Sequence, residues 1–356
     1  MAIESVNPDL VAGGSGEGRI GAFVAGWLDS AGLEVSVVEP VSGRPSVVGV
    51  ARGSDDGPSL MLNAHMDTVG AGGMAAPFSP EVRDGRIYGR GALDMKASLA
   101  AIMLAGQTCV SKRLRGDVLV CAVADEEVAS FGTEAVLSQF RADYGIVTEP
   151  TELSLCLAHK GFAWLEVETH GVAAHGSRAD LGVDAIAHIG RVLTGVLELN
   201  ERLRSGPRHG LLGTGSTHAS LIAGGQEMST YPATCVARFE RRTVPGENGA
   251  NVLREIEELI GSERATARVT LERPPSELAP DHPLVTTLDR LADHPPLIGV
   301  AYWMDMALMN AAGIPTAAFG PSGEGEHADV EWVDVESVRR CVDVYTIAAE
   351  SLCSGN

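Results

Sequence analysis

Three short polar clusters each close an apolar, strand-like run: His65-Met66-Asp67, Asp125-Glu126-Glu127 and Thr148-Glu149-Pro150. Between the first two lies Asp94, in the stretch GRGALDMK, and His327 follows a fourth run near the C-terminus. Carboxylates gathered in one pocket repel one another and take up protons. A bound divalent metal removes that conflict. With Asp94, Glu127 and Glu149 as ligands and one hydroxide between the ions, four negative charges would balance two Zn²⁺. The pattern reads as a two-metal hydrolase.

No single member carries that reading, because a lone histidine after a strand is more often a hydrogen-bonded residue than a ligand, and metal ligands are recognised in clusters of the right type. The coincidence carries it. In open α/β sheets ligands collect beyond the carboxyl ends of the strands, so four distant strand ends can meet in one crevice. His65 and Asp67 are two apart and point the same way in an extended segment. Asp67 could therefore hold the second ring nitrogen of His65. Glu126 and Glu127 would point oppositely on a regular strand and reach one site only where the strand becomes a loop. One would then bind metal and the other act as general base. Spacing leaves open which is which.

The elements that must position these groups alternate. Residues 17–31 place Ile20, Phe23, Val24, Trp27 and Leu28 at helical spacing. Apolar runs at 59–63, 118–123 and 144–147 read as buried strands, and 94–106 and 133–140 read as helices. This order predicts an α/β fold with a covered parallel or mixed sheet. Near Lys160 the pattern changes. FAWLEVET (162–169) alternates apolar and charged residues, as a strand with one wet face does. Segments at 184–203, 219–223, 235–241, 249–260 and 267–272 then fit two helices on one face of a four-stranded antiparallel sheet. The predicted architecture is a discontinuous catalytic domain, residues 1–158 and 278–356, interrupted by an α+β lid or dimerisation domain, residues 159–277.

The segments MLNAHMDTV, GRGALDMKASLAAIM, ADEEVASFGTEAV, GIVTEPT, GVAAHGSRADLGVDAI and GPSGEGEHADVEWV occur in an order that resembles the M20 metallopeptidase/deacylase family. That family includes acetylornithine deacetylase, succinyl-diaminopimelate desuccinylase, aminoacylase-1 and a glutamate carboxypeptidase. The resemblance spans nearly the whole chain. It implies a dinuclear zinc centre, with Co²⁺ or Mn²⁺ as possible substitutes. It implies Asp94 as bridging ligand, His65 and Glu149 completing one site, and Glu127 and His327 the other. It implies Glu126 as general base, Asp67 as partner of His65, and a cis peptide at Asp94–Met95. In the inserted domain, His175 resembles the histidine that supports the oxyanion, often supplied across a dimer. Arg242 resembles the arginine that grips a substrate carboxylate, a task suited to a bidentate guanidinium. Two departures fall in the substrate-facing part of that domain. His218 stands where many members carry Asn before the Gly-Gly of LIAGG, and Ser229-Thr-Tyr-Pro232 replaces Asn-x-x-Pro.

The expected function is removal of an acyl group from an N-acyl-amino acid, close to the acetylornithine deacetylase branch, by a homodimer joined through the lid. A metallo-carboxypeptidase or dipeptidase acting on a short peptide, or releasing an amino acid from a carrier, needs the same ligands and is the alternative. A non-catalytic metal-containing binding module on the same fold is the alternative of another class. Composition narrows the rest. The balance of 27 Lys+Arg against 47 Asp+Glu, a net −20, argues against nucleic acid or an anionic membrane as partner. The N-terminus lacks a basic start and apolar core, and no uncharged apolar stretch reaches the ~18 residues of a membrane span. Six cysteines without framework spacing read as reduced, in a cytoplasmic protein. A serine nucleophile is disfavoured because no Gly-x-Ser-x-Gly elbow occurs.

Overall fold

The structure is a computed structural model that describes residues 1–354. The chain divides into two units. The first comprises residues 1–157, 278–298 and 304–356. At its centre lies a mixed sheet with the strand order Glu34–Val41, Arg44–Ala51, Val118–Val123, Leu60–His65, Tyr144–Val147, Thr316–Ala318 and Leu155–His159. The Leu60–His65 strand is parallel to both its neighbours, pairing His65 with Val123 and Asn63 with Val147. These strands therefore end at the same edge. Their residues are apolar on both faces because both faces are covered. Leu99, Ile102 and Met103 of helix Ala97–Lys112 and Val344, Tyr345 and Ala348 of helix Val335–Cys353 join Leu60, Leu62, Val118 and Val120 in one buried cluster. The helix at 97–112 sits close to the sheet at Gly106, where a Cβ would lie 2.4 Å from Val120 Cγ2.

The second unit, residues 158–277 and 299–303, holds a four-stranded antiparallel sheet in the order Ser216–Gly224, Thr234–Thr243, Gly161–His170 and Ala265–Arg273. Helices Ala185–Ser205 and Gly249–Ile260 bury Ile189, Val192, Val196, Val252 and Ile256 against Leu165, Val167 and Phe239. Both helices start on side-chain caps. Asp184 accepts from the backbone of Ile186 and Ala187, and Asn248 and Asn251 form a reciprocal capping box. The alternation of FAWLEVET is present as buried Ala163, Leu165 and Val167 opposite exposed Trp164.

Three features differ from the sequence reading. The helix expected from Asp94 begins instead at Ala97: Asp94 and Met95 lie outside helical dihedrals, and the Asp94–Met95 peptide is cis. Residues 299–303 group with the second unit, whereas the sequence reading placed all of 278–356 in the catalytic segment. The reason is Trp303, whose indole N–H donates to the Pro274 carbonyl at 3.1 Å and whose ring meets His159 and Phe162 edge-on. A small antiparallel sheet of Glu81–Arg83, Arg86–Tyr88, Trp332–Asp334 and Gly323–Glu324 was not anticipated. Its strands of two or three residues are too short to show a period. All six cysteines are buried, and among the described residues no helix is long and apolar enough to cross a membrane.

Candidate metal centre

The parallel strands deliver their following residues to one place. His65 is the last residue of its strand. Glu149 comes two residues after Val147, which pairs with Asn63, so Glu149 falls level with His65. The strand ending at Val123 gives way to a turn at Asp125, whose φ is +68°, and the amides of Ala129 and Ser130 close back on its carbonyl. That turn lets Glu126 and Glu127 both approach the strand end.

The side chains form two trios. His65, Asp94 and Glu149 make one, and Asp94, Glu127 and His327 the other, with the ligand atoms of each trio within 4.8 Å of one another. Asp94 divides its oxygens between them. Oδ1 lies 2.9 Å from His65 Nε2 and Oδ2 lies 3.3 Å from His327 Nε2, which is also 3.3 Å from Glu127 Oε2. His65 Nε2 stands 3.7 Å from Glu149 Oε1.

Electrostatics follow from crowding. Burial pushes the Glu126 and Glu149 carboxyls well above the ordinary range, and the charges of their neighbours (Glu149 for Glu126, Asp94 and Glu127 for Glu149) push the same way. Glu127 is raised by burial and by Asp94. Burial would also raise Asp94, but hydrogen bonds from His327 and His65 outweigh it and hold Asp94 below its usual range. Hydrogen bonds to Asp94 and Glu127 lift His327 to about 10. Burial opposes the His65 cation, yet Asp67 and Asp94 raise it well above an ordinary histidine. The carboxylates around His65 and His327 thus favour positive charge at both rings. This is a cation site by charge.

The residues fit a pair of divalent ions. Imidazole nitrogens and carboxylate oxygens are suitable donors for zinc, cobalt or manganese. Glu127 Oε1 is buried with no hydrogen-bond partner, an acceptor left without a donor.

Asp67 does more than the pairing expected of it. The closest partner of His65 Nδ1 is the main-chain carbonyl of Asp67, at 2.9 Å, and the carboxylate Oδ1 is farther away at 3.5 Å. The carboxylate instead receives the Glu126 and Glu127 amides, each at 3.2 Å, and so fixes the turn carrying both glutamates.

Residues to which the sequence reading gave no site role support this arrangement. Asn7 Nδ2 donates to Asp67 Oδ2 at 2.8 Å and to Asp125 Oδ1 at 3.1 Å. Arg44 pairs bidentately with Glu17 and reaches Asp125 at 3.1 Å, while the Asp125 amide donates to Glu17. Buried Arg90 and Glu331 form an ion pair at 2.8 Å. Asp305 accepts from Thr133 Oγ1 at 2.5 Å, and burial raises its carboxyl to about 6 against that bond. Arg90 stands inside GRGALDMK and could have been suspected there; Asn7 carries no signal. His175, His218 and Arg242 belong to the second unit. His175 is exposed and bonds Ser177 Oγ at 2.8 Å, His218 is exposed on the Ser216–Gly224 strand, and Arg242 Nε donates to Glu240 Oε1 at 2.7 Å.

A family profile described as "Peptidase family M20/M25/M40" matches residues 61–351. The chain belongs to that family. The M20 family is metal-dependent, and its hydrolases include peptidases and deacylases. This M20 chain is 30% identical over 349 residues to the acetylornithine deacetylase of Myxococcus xanthus, covering 92% of this chain and 87% of that protein. Its fold matches aminopeptidase PepT from Bacillus cereus with a TM-score of 0.78 at 18% identity, covering 99% and 95% of the two chains. It also matches the YXEP protein of Bacillus subtilis, described as a dinuclear metal-binding peptidase of the M20 family, with a TM-score of 0.69 at 16% identity, covering 96% and 94%.

Proposed function

We propose that this M20 hydrolase removes the acyl group from an N-acyl-amino acid through a dinuclear zinc centre. The observation that carries it is the division of Asp94 between two ligand trios, with Glu126 beside them. Similarity to the Myxococcus xanthus acetylornithine deacetylase supports the deacylase assignment.

His65, Glu149 and Asp94 would hold one ion, and Asp94, Glu127 and His327 the other. When bound, such ions polarise a carbonyl and bring the pKa of water towards ~7. Glu126 belongs to neither trio. It takes the proton of the attacking water as the new C–O bond forms. It then gives that proton to the amine nitrogen as the C–N bond breaks, and the second proton of the water passes from the new carboxyl group to the amine, leaving a carboxylate and an ammonium group. Asp67 sets the angle of approach by tethering the amides of both glutamates. We assign oxyanion support to His175 and the grip on the substrate carboxylate to Arg242, with His218 in the specificity pocket and a homodimer as the working form.

A panel of N-acetyl amino acids and dipeptides, run with added Zn²⁺ or Co²⁺, tests the assignment. Turnover of N-acetyl substrates above dipeptides supports it, and the reverse preference replaces it with a carboxypeptidase or dipeptidase. No turnover of any substrate by fully loaded protein would leave the binding-module reading.

A further inference from the structure

We infer that the Arg90–Glu331 pair is a positioning clamp that sets His327 for the second metal ion. The inference rests on the dinuclear reading above. Both residues are only 1% exposed, and all their side-chain bonds but one, from Arg90 Nε to Gly70, join the loop at 90–94 to the loop at 328–331. Glu331 Oε2 accepts from Arg90 Nη1 at 2.8 Å and from the Gly91 amide at 2.9 Å. Its Oε1 accepts from the amides of Leu93 at 2.8 Å and Asp94 at 3.1 Å. Arg90 in turn donates through Nη2 to the carbonyl of Ala328, the residue after His327, at 2.8 Å, and through Nε to Gly70 O at 3.0 Å.

One buried ion pair thus fixes the main chain at Asp94 and the main chain next to His327. His65, Glu127 and Glu149 have strand ends or Asp67 to place them. His327 has a left-handed backbone at φ +61° in a loop between strands of two and three residues. Glycine is required on both sides of the clamp. Gly91 has φ +76° and a Cβ there would lie 2.9 Å from Thr68 Cγ2, while at Gly325, with φ +95°, it would lie 1.8 Å from Val330 O. Neither Arg90 nor Glu331 supplies an atom to either trio.

Glu331→Gln separates the two loops. The amide oxygen can still accept from Leu93 and Asp94, but its NH₂ group then faces Arg90 and cannot accept. The hold on Ala328 loosens while Asp94 keeps its partners. Metal-free wild type, Glu331→Gln and Arg90→Lys should be titrated with Zn²⁺ by calorimetry, with bound metal counted by elemental analysis. A buried arginine of the second unit, Arg241, pairs with Glu247 and Glu255 in a comparable way, and Arg241→Lys serves as control for loss of a buried pair in general. Wild type and Arg241→Lys should take up two ions. In Glu331→Gln and Arg90→Lys the first ion should bind within about threefold of wild type, and the second about 10–100-fold more weakly, the usual cost of removing a support behind a ligand. Wild-type affinity for both ions in both clamp variants overturns the clamp alone. So does an equal loss in Arg241→Lys. Fewer than two ions on wild type overturns the dinuclear reading, and the clamp with it.

Discussion

The two halves of the candidate metal centre are built by different means. His65 and Glu149 stand at the ends of neighbouring parallel strands, with His65 only 1% exposed. His327 comes from a loop and its side chain is 56% exposed. The strand-end half inherits its geometry from sheet register, which hydrophobic burial specifies without any polar contact. The loop half has no register to inherit, and its place depends on tethers: Arg90 to Ala328, and the Gly73 amide to Asp329 Oδ1 at 2.8 Å. Placing a ligand on a sheet edge costs no additional structure, whereas placing one on a loop requires a second set of buried polar groups.

The largest expected effect sharpens this comparison by leaving both halves intact. Glu126→Gln should keep two bound ions, and its kcat should fall by about 10²–10⁴, the range for loss of a general acid–base. Steady-state kinetics beside metal analysis would check it, and near-normal turnover would remove Glu126 from the proton path.

Removing one histidine from each half should expose the difference in stability. His65→Ala strips a cation from among buried carboxylates, and the metal-free protein should lose about 3–5 kcal/mol in urea unfolding. His327→Ala acts at an exposed position and should cost less than about 1 kcal/mol. Equal losses would break the comparison.

A pH effect of smaller size follows from the raised groups. The His327 pKa of about 10 lies above its unfolded value, so its contribution to metal-free stability is complete below about pH 6.5 and is lost as pH rises through about 10. Glu126 and Glu149, also raised, act in the same direction above the normal carboxyl range. The metal-free protein should therefore melt at a lower temperature at pH 9 than at pH 6, and added Zn²⁺ should raise Tm more at the higher pH. Zinc binding should also release protons, since the ligand histidines must give them up. Calorimetry in buffers of different ionisation enthalpy would read that release, and net proton uptake would contradict it.

The smallest effect belongs to the support behind the strand-end half. Asn7→Ala removes one donor from Asp67 and one from Asp125, and kcat/KM should drop by about tenfold, the low end for such partners. A change confined to thermal stability would make Asn7 a structural residue only.

What the sequence discloses follows the same division. The buried strands at 60–65, 118–123 and 144–147 are legible because an unbroken apolar run closed by His, Asp or Glu is what a covered strand leading into a polar crevice requires. The alternating strand at 161–170 and the helix at Gly249–Ile260 are legible from their periods. Residue type and order gave the candidate cluster but left Glu126 and Glu127 interchangeable; its division into two trios about Asp94 was implied by the family resemblance. The small sheet around the Asp94 and His327 loops could not, because two or three residues show no period. Arg90–Glu331 and Arg44–Glu17 were hidden for another reason: a charged residue in sequence reads as surface, and only the fold shows that opposite charges are buried together. The Asp67 carboxylate bonds the Glu126 and Glu127 amides more closely than it approaches His65, a detail of loop path that spacing does not encode.

The most direct test of the central claim is anomalous diffraction at the zinc edge from crystals of Zn²⁺-loaded protein. Two peaks should flank Asp94, one beside His65 and Glu149 and the other beside Glu127 and His327. A single peak, or ions bound where Asp94 touches neither, would contradict the account.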